Sequence, residues 1–379
     1  MKYLAVLGST GSIGKQTLDI VRRFPEKFKI VALASYGNAP EIFFQQLEEF
    51  SPKIASVYDQ EVYALAKQKF PHVEMHLGEE GLTAVATEES VDYVVAASSG
   101  ICALPAIIEA IKQKKTLGLA NKEVLVCAGE LISNLAKQYD TKILPIDSEH
   151  NALFQCLESR DPQSVKRLIL TASGGPFFGK SRDELMKVTI QDVLQHPIWC
   201  MGKKVTVDSS TFVNKALELI EASWLFGFKD SEIDAVVHPQ SLIHGMVEFH
   251  DGSVISIMNP PSMLFPIQYA LSVPDRLPAP QEGIDFAKKH VLEFYPVDEE
   301  TFPSIRMARR VLREKGSLGS FFNAANEVLV HRFLSKQIFW HEILQKLEVL
   351  MDAHRVYDCS TLESILATDE EARALAQGI

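Results

Sequence analysis

The first 147 residues alternate between two kinds of segment, and this rhythm limits the possible folds more than any other feature of the chain. Six short runs are rich in apolar residues: YLAVLG, KIVALAS, KIASVY, VDYVVAAS, KTLGLA and TKILPI. Amphipathic stretches such as GKQTLDIVRRF and LPAIIEAIKQKK separate them. Nearly continuous apolar strands alternating with helices indicate a parallel sheet that is covered on both faces. We therefore predict an α/β fold whose first domain, residues 1–147, is a Rossmann-like doubly wound sheet.

The rhythm changes after residue 147. Residues 148–273 mix helical stretches with strand-like runs, and IHGMVEFHDGSVISIMN alternates apolar and polar residues around an Asp-Gly pair, which is a hairpin signal. We predict a central α+β catalytic domain with a partly antiparallel sheet. Residues 274–303 are rich in proline and are expected to form a connecting arm. Residues 304–379 have helical periodicity and are expected to form a small helical domain.

Composition excludes several classes of function. The formal charge of −11 argues against a nucleic-acid partner, because phosphate-binding surfaces usually carry a basic excess. No apolar run approaches the length of a membrane span, and the N-terminus is typical of a first strand rather than of a signal peptide. The five scattered cysteines form no CxxC pair. We therefore expect a reduced, cytoplasmic protein without a membrane partner.

Three glycines lie between the first predicted strand and the first predicted helix. In LAVLGSTGSIGKQTLDIV they are Gly8, Gly11 and Gly14. Glycines at this junction permit a tight turn and let backbone N–H groups approach a pyrophosphate at the helix N-terminus. Their spacing is GxxGxxG rather than GxGxxG, and an ordinary strand-turn-helix junction is the alternative interpretation. The position between first strand and first helix favours a dinucleotide site.

The end of the second predicted strand indicates which dinucleotide. NAD enzymes usually place an acidic residue there for the ribose hydroxyls. Here the strand ends in ALASYGNAP, with Tyr36, Gly37 and Asn38 and no carboxylate before Glu41. An acid would repel a 2′-phosphate, so its absence favours NADP.

Polar residues follow directly after the last apolar run of the first domain. In LPIDSEHNALFQCL, Asp147 and Glu149 are two positions apart at the carboxyl end of a strand, so both side chains can project to one side. Open α/β sheets bind ligands at this edge. Asp147 or Ser148 could instead simply cap the following helix. At this point both interpretations, a helix cap and a metal and substrate site, are open.

A second acidic set recurs at helical spacing. In VDSSTFVNKALELIE, Asn214 and Glu218 lie one turn apart on one helix face, with Lys215 beside Asn214. Two carboxylates from a strand end and one from a helix would suit Mg²⁺ or Mn²⁺ and leave positions for substrate oxygens. A solvated helix face is the alternative for Glu218 and Glu221.

Several residues that could bind a phosphate occur in the second acidic segment and in other parts of the chain. Hydroxyl groups are available in TASGGPF and DSS, and cationic or neutral donors in LANKEV and QHPIWCMGKK. Each could contact or neutralise a phosphate, although any one of them alone is more often structural. The residues are Lys122, Ser173, His196, Ser209 and Lys215.

Read together, these motifs resemble one family. GSTGSIG, LANKE, DSEHNALFQ, ASGGPF, HPIWCMGKKVTVDSSTFVNKALELIEA, VVHPQSLIHGMVEF and FFNAANEV are similar, in this order, to segments of 1-deoxy-D-xylulose 5-phosphate reductoisomerase. The resemblance covers nearly the whole chain. It implies an NADPH-dependent enzyme of non-mevalonate isoprenoid biosynthesis, which uses a divalent metal to rearrange and reduce a sugar phosphate to 2-C-methyl-D-erythritol 4-phosphate. It also implies a homodimer with the middle domain at its interface.

The resemblance assigns roles by position. The implied catalytic residues are Lys122, Asp147, Glu149 and Glu218, and the last three are the implied metal ligands. The implied substrate-binding residues are Lys122, Ser148, Glu149, Ser173, His196, Ser209, Asn214, Lys215 and Glu218. The implied cofactor-binding residues are Thr10, Gly11, Ser12, Ile13, Gly37, Asn38, Asn121, Glu123 and Gly202. Residues 196–202, with Trp199 and Met201, resemble a flap that closes over substrate.

Two segments depart from the family pattern. Many relatives carry a basic residue in an AGKN-like turn after the second strand, where this chain has Tyr36 and Gly37. The way in which the 2′-phosphate is held is therefore in question. The usual PDMR-x-PI segment is PPSMLFPI, with Ser262 and Leu264 in place of the acid and the arginine. We expect this change to alter packing or interface contacts rather than chemistry.

Two alternatives belong to other classes of function. A semialdehyde-type NADP dehydrogenase would need a nucleophilic cysteine with a basic partner, for which Cys156 and Cys200 are the candidates. A non-catalytic NADP-binding sensor would have no need of Asp147, Glu149 and Glu218 together.

Overall fold

The computed structural model describes residues 1–199 and 201–379, the side chain of Arg182 excepted. This part of the chain divides into two compact units. The first comprises residues 1–124, 132–151 and 263–282, and the second comprises residues 125–131, 152–262 and 283–379. The units do not coincide one for one with the four predicted segments, so the boundaries at 147, 273 and 303 stay predictions.

The regular elements are numbered in chain order. The strands are β1 (Lys2–Leu7), β2 (Phe28–Ser35), β3 (Ile54–Val57), β4 (Glu74–Leu77), β5 (Tyr93–Ala96), β6 (Thr116–Leu119), β7 (Ile143–Pro145), β8 (Val165–Ala172), β9 (Ile233–Val237), β10 (Ile243–Phe249), β11 (Val254–Met258) and β12 (Tyr295–Pro296). The helices are α1 (Ser12–Arg23), α2 (Pro40–Phe50), α3 (Gln60–Lys69), α4 (Gly78–Thr87), α5 (Leu104–Lys112), α6 (Lys122–Tyr139), α7 (Ser148–Leu157), α8 (Arg182–Leu185), α9 (Ile190–Val193), α10 (Lys203–Ser210), α11 (Val213–Phe226), α12 (Leu264–Ser272), α13 (Ser304–Glu314), α14 (Leu318–Leu334), α15 (Trp340–Ala353) and α16 (Leu362–Gly378).

The first unit is built on a seven-stranded sheet with the order β4-β3-β2-β1-β5-β6-β7. All six pairings are parallel. The strand order reverses at β1, because β2 to β4 lie on one side of it and β5 to β7 on the other. Ligands of open α/β sheets bind outside the carboxyl ends of the strands at such a reversal. The predicted doubly wound fold is confirmed, and its ligand-binding edge follows β1.

One strand of this sheet is absent from the sequence prediction. The edge strand β4 has the sequence EMHL, and of its four residues only Met75 is buried. Short, partly charged strands are typical of sheet edges, where one side has no partner strand. Because β4 lacks the continuous apolar run of the central strands, its sequence contains little of the signal that predicts the other six.

Close packing between β1 and α1 explains the glycines of the first turn. Gly8 has φ +86°, which only glycine adopts without strain. A Cβ atom on Gly14 would lie 2.3 Å from the carbonyl oxygen of Gly8 and 2.6 Å from the Cα of Ser9. Glycine at position 14 therefore lets the first turn of α1 pack directly on the backbone of the loop.

The second unit contains a five-stranded mixed sheet with the order β11-β10-β8-β9-β12. Only β8 and β9 pair in parallel, whereas the three other pairings are antiparallel. The predicted hairpin is confirmed, since β10 and β11 flank Asp251 and Gly252. Strand β12 ties the otherwise irregular stretch 283–303 to this sheet through its pairing with β9.

A break separates helix α10 from helix α11. Helix α10 ends at Ser210 and α11 starts at Val213, because Phe212 has φ +60°. The buried ring of Phe212 packs on Phe302, with 4.8 Å between ring centroids. Side-chain packing thus holds a non-glycine residue in a conformation that helix periodicity does not predict.

The C-terminal helices supply about half of the second unit's apolar core. Helix α14 is buried over most of its length, and it packs against α15 and α16. The indole of Trp340 donates to Ser210 Oγ at 2.8 Å and lies edge-on to Phe177. The predicted helical C-terminal region is confirmed. Among the described residues, no helix is long and apolar enough to cross a bilayer.

Candidate active site

The glycine turn forms the centre of the first unit's ligand-binding edge. Gly11 is the N-cap of α1 and provides no side chain to bond the first amides of the helix. Such amides, at the positive end of the helix dipole, are suited to an anion. The turn is tied to the end of β2, because Thr10 Oγ1 and Ser35 Oγ share a hydrogen bond of 2.9 Å. Thr10, Gly11, Ser12 and Ile13 are therefore arranged as a phosphate-binding turn requires.

The other predicted cofactor residues differ in their surroundings. Gly37 is buried with φ +113°, and Asn38 beside it is exposed. Asn121 caps α6 by accepting from the Val124 amide, and its Nδ2 donates to the Gly100 carbonyl at 2.7 Å. The side chain of Asn121 is thus engaged in structural bonds at the carboxyl end of β6. In the second unit, Gly202 is exposed at the N-terminus of α10.

An acidic cluster follows β7 at the same edge of the sheet. Asp147 forms an ion pair with Lys122, which opens α6, and the Ser148 hydroxyl donates to Glu149. Carboxylate oxygens of Asp147 and Glu149 lie within 4.8 Å of one another. Helix α7 begins at Ser148, and the Asp147 carbonyl accepts from the Asn151 amide at 2.8 Å. The segment is therefore both a helix start and an acidic cluster, so the two interpretations of the sequence do not exclude each other.

Electrostatics keeps the Asp147 carboxyl ionised. Burial alone would raise its pKa, but the Lys122 ammonium and the His150 ring nearby have the larger combined effect. The pKa of Asp147 is therefore well below its ordinary value. His150 is fully buried, and its Nδ1 lies 4.0 Å from an Asp147 oxygen. A buried carboxylate that stays charged at all physiological pH values is suited to hold a cation.

The second unit presents its own carboxylate on α11. Glu218 is only 1% exposed. Asn214 Nδ2 donates to its Oε1 at 2.5 Å, and Lys215 forms an ion pair with its Oε2. The three residues occupy one face of the helix, as their spacing predicts. Glu221 is also fully buried, so the alternative of a solvated helix face is wrong for both glutamates.

A hydroxyl and an imidazole are joined at the start of segment 196–202, which is predicted to be a flap. The Ile198 and Trp199 amides donate to His196 Nδ1 at 3.2 and 2.9 Å. The proton of the neutral ring is therefore on Nε2, which lies 3.1 Å from Ser173 Oγ and donates to it. Burial lowers the pKa of His196, which favours this neutral form.

The Ser173 hydroxyl is consequently free to donate its own proton to another group. Its Oγ accepts from His196 and also from the Gly175 amide at 3.2 Å, so the hydroxyl proton is directed elsewhere. Ser209 lies nearby, because a Cβ atom on Gly175 would be 3.5 Å from the Ser209 Oγ. The second unit thus brings the predicted residues Ser173, His196 and Ser209 into one neighbourhood.

Sequence reasoning did not single out His244. The ring of His244 is buried, and its Nε2 donates to the Asn259 carbonyl at 3.1 Å. Burial is the main cause that lowers its pKa to about 4, and the charges of Lys215 and His238 lower it further. The Trp199 indole lies edge-on to it, with 6.1 Å between ring centroids. The sequence does place His244 on the same face of the predicted strand β10 as Met246 and Glu248, and this was the only signal available for it.

The described cysteines give no support to thiol chemistry. Cys102, Cys127, Cys156 and Cys359 form no disulfide, and Cys200 lies outside the described residues. Burial raises the pKa of Cys156 to about 11, so this thiol stays protonated and is a poor nucleophile.

The fold and the site define a class of protein: an α/β enzyme that combines a dinucleotide-type turn with buried, lysine-paired carboxylates. Comparisons with known proteins are more specific. Residues 4–129 match the family described as 1-deoxy-D-xylulose 5-phosphate reductoisomerase, and residues 143–226 match the C-terminal domain of the same description. Residues 258–375 match the DXP reductoisomerase C-terminal domain.

Full-length relatives agree with these matches. A 1-deoxy-D-xylulose 5-phosphate reductoisomerase of Chlamydia caviae is 66% identical over 379 residues, which is 100% of both chains. A crystal structure of DOX-P reductoisomerase in complex with NADPH, fosmidomycin and magnesium is 35% identical, with a TM-score of 0.95 over 100% of this chain and 98% of the other. The Zymomonas mobilis enzyme in complex with NADPH is 37% identical, with a TM-score of 0.93 over the same shares.

The chain belongs to the 1-deoxy-D-xylulose 5-phosphate reductoisomerase family. The family, the enzyme class and the fold class predicted from the sequence are confirmed.

Proposed function

We propose that this chain converts 1-deoxy-D-xylulose 5-phosphate into 2-C-methyl-D-erythritol 4-phosphate, with NADPH as the reductant and Mg²⁺ or Mn²⁺ as the metal. Membership of the reductoisomerase family carries this proposal. The two solved relatives described above contain NADPH, and one of them contains magnesium. In this chain, the glycine turn at the strand reversal and the lysine-paired carboxylates are the features that would serve such chemistry.

The proposed metal ligands are Asp147, Glu149 and Glu218. Hard cations such as Mg²⁺ and Mn²⁺ prefer oxygen donors, and these three residues supply only carboxylate oxygens. Asp147 and Glu218 each form an ion pair with a lysine. The lowered pKa of Asp147 keeps that carboxyl in the charged form that ligation requires. A bound dication would act as a Lewis acid on substrate oxygens.

The remaining proposed residues bind and orient the sugar phosphate. Ser173 directs a hydroxyl proton outward, and Ser209, Asn214 and Lys215 add a hydroxyl, an amide and an ammonium group. Such donors suit a phosphate dianion, and Lys215 offsets part of its charge. Ser148 and Lys122 lie beside the carboxylates and would contact the hydroxyl and carbonyl end. His196, neutral and bonded to the flap backbone, would link flap position to the Ser173 hydroxyl.

The flap segment would also protect the intermediate. Residues 196–199 form a turn around the His196 ring, and Trp199 packs against His244. We propose that this segment closes over substrate, which would exclude water while an aldehyde is present. Closure would also hold the fragments of the carbon skeleton in a reactive orientation.

A coupled absorbance assay tests the proposal. Purified protein is mixed with NADPH and 1-deoxy-D-xylulose 5-phosphate, and NADPH oxidation is followed with Mg²⁺, with EDTA, and after Mn²⁺ is added back. We expect oxidation that requires the sugar phosphate, stops with EDTA and recovers with Mn²⁺. Fosmidomycin, which a solved relative contains, should inhibit it. Metal-independent oxidation, or none with this substrate, would contradict the proposal.

Neither alternative function gains support. The buried, protonated Cys156 does not suit a semialdehyde dehydrogenase. A pure NADP sensor leaves the lysine-paired carboxylates without a purpose.

A homodimer is part of the proposal. The arm contains a ten-residue stretch with five exposed apolar side chains. Strand β12 ties this stretch to the five-stranded sheet. The exposed side chains are Phe286, Val291, Leu292, Phe294 and Tyr295. Exposed apolar clusters often mark interfaces, and a second copy of the chain is the proposed occupant. The cytoplasmic location stays a prediction from the cysteine pattern.

A further inference from the structure

Two tyrosine rings stack at the ligand-binding edge of the parallel sheet. Tyr36 follows β2 and Tyr58 follows β3, with ring centroids 5.0 Å apart and planes inclined by 9°. Ser35 pairs with Val57 in the strand register, so the two tyrosines are the next step on neighbouring strands, which lie about 4.8 Å apart. The Tyr58 amide donates to Ser35 and the Asp59 amide donates to Tyr36, at 3.2 and 3.1 Å. The stack is therefore an extension of the sheet rather than a chance surface contact.

The outer faces of this stack are open. Tyr36 is 61% exposed and Tyr58 is 51% exposed, although each ring covers one face of the other. The stack runs in the direction from β3 to β2, and β1 with its glycine turn is the next strand in that direction. The Thr10–Ser35 hydrogen bond connects that turn to the residue before Tyr36. An open aromatic face thus lies beside the turn proposed to hold the cofactor pyrophosphate.

The charges around the stack are unusual for an NADP site. Such sites commonly place an arginine near the 2′-phosphate. Residues 35–40 and 57–60 contain no lysine and no arginine. They do contain Asp59, whose Cβ would lie 2.5 Å from a Cβ atom on Gly37. Its carboxylate accepts from the first amides of α3. The turn therefore offers a flat aromatic surface and no cation.

We propose that Tyr36, backed by Tyr58, is the platform on which the adenine of the cofactor stacks. The inference rests on the proposed function, since it requires that the chain binds NADPH. Aromatic stacking does not depend on the 2′-phosphate, because that group lies on the ribose and not on the base. Removal of the Tyr36 ring therefore weakens NADPH and NADH by the same factor.

Direct titration tests this platform. NADPH and NADH are titrated by calorimetry into the wild-type chain and into Tyr36→Ala, Tyr36→Phe and Tyr36→Arg, without metal or substrate. Tyr36→Ala should weaken both nucleotides by the same factor, about tenfold. Tyr36→Phe should bind like the wild type, because the ring is retained. Tyr36→Arg should raise the preference for NADPH about tenfold or more. Tyr3→Ala is the control, because Tyr3 lies at the amino end of β1.

Three other results would each refute the platform, the proposed function or both. Unchanged binding by Tyr36→Ala, in a wild-type chain that binds NADPH, would refute the platform and leave the proposed function intact. A loss confined to NADPH in both Tyr36→Ala and Tyr36→Phe would mean that the phenol hydroxyl reads the phosphate, which also refutes it. A wild-type chain that binds neither nucleotide would refute the proposed function and this inference together.

Discussion

At the scale of single residues, the site is organised around pairs of opposite charge. Asp147 with Lys122 and Glu218 with Lys215 are each buried or nearly so. Removing one partner of a buried pair leaves an uncompensated charge, which costs about 3–5 kcal/mol. An isosteric amide keeps the shape but leaves the paired lysine without its counter-charge, so the folded fraction of each variant has to be measured beside its turnover.

Asp147→Asn and Glu218→Gln should each abolish metal-dependent turnover, with a loss of at least about a thousandfold, because an amide is a far weaker ligand for a hard dication. NADPH affinity should change less than about twofold. Turnover in the absorbance assay and NADPH titration measure the two effects. Glu26→Gln, at an exposed turn, is the control. Full activity of either variant would argue against the proposed ligand set.

His244 should make stability depend on pH. The unfolded chain protonates this histidine below about pH 6.5, whereas the folded chain does so only below about 4. The unfolded state therefore binds more protons between these values, and stability is lost as the pH falls through this window. Between pH 7 and pH 5 the contribution amounts to about 2 kcal/mol.

Urea unfolding at the two pH values measures this effect. His244→Gln should show a pH dependence that is smaller by about 2 kcal/mol than that of the wild type. The exposed His290→Gln should keep the wild-type dependence. The Lys215 and His238 charges near the ring, present in all three proteins, do not alter the comparison. An equal pH dependence in His244→Gln would show that this ring is not the group involved.

Residues that are close in sequence were the predictable ones. Asn214 and Glu218 share a helix face, so periodicity places that pair. Asp147 and Glu149 are close because they are two positions apart, but the strand alternation expected for them does not apply, since β7 ends at Pro145 and α7 begins at Ser148. Long-range partners are different. Asn326 donates to the buried Asp208 at 2.8 Å across 118 positions, and nothing local to either residue indicates the contact. The roles of the site residues stay predictions.

At the scale of elements, the β1–α1 junction depends on backbone packing. Gly14→Ala would place a methyl group against backbone atoms of Gly8 and Ser9, which cannot rotate away as a side chain can. Overpacking of this kind costs about 1–3 kcal/mol.

We therefore expect Gly14→Ala to lower the free energy of unfolding by about 2 kcal/mol in urea titrations. Gly11→Ala should cost less than about 1 kcal/mol, since its nearest new contact is 3.3 Å rather than 2.3 Å. Equal stability of the two variants would contradict the packing argument.

Most elements were predictable because the spacing of apolar residues in their sequences matches the spacing of buried residues in the structure. The six apolar strands and the hairpin at Asp251 and Gly252 are of this kind. The edge strand β4 was not, because it has only four residues, one of them buried, and so contains no continuous apolar run. The break at Phe212 was not either, because it depends on a ring contact with Phe302, 90 positions away.

At the scale of the whole molecule, the exposed apolar side chains of the arm bear on the oligomeric state. We expect the chain to sediment as a dimer, at about twice 42.3 kDa. Phe286→Glu combined with Val291→Glu should shift it toward the monomer, because charges would replace exposed apolar contacts. Leu65→Glu, an exposed apolar position on α3, is the control. A wild-type monomer at micromolar concentration would contradict the proposed dimer.

The first unit is assembled from pieces that are far apart along the chain. Helix α12 packs on α1, the Tyr93 hydroxyl donates to the Ala270 carbonyl at 3.0 Å, and Lys2 donates to the Leu271 carbonyl at 2.7 Å. A nascent polypeptide leaving the ribosome therefore carries all seven strands of the sheet before α12, which packs on α1, has been synthesised. The unit proposed to bind the cofactor is completed late in translation, although its sequence comes first.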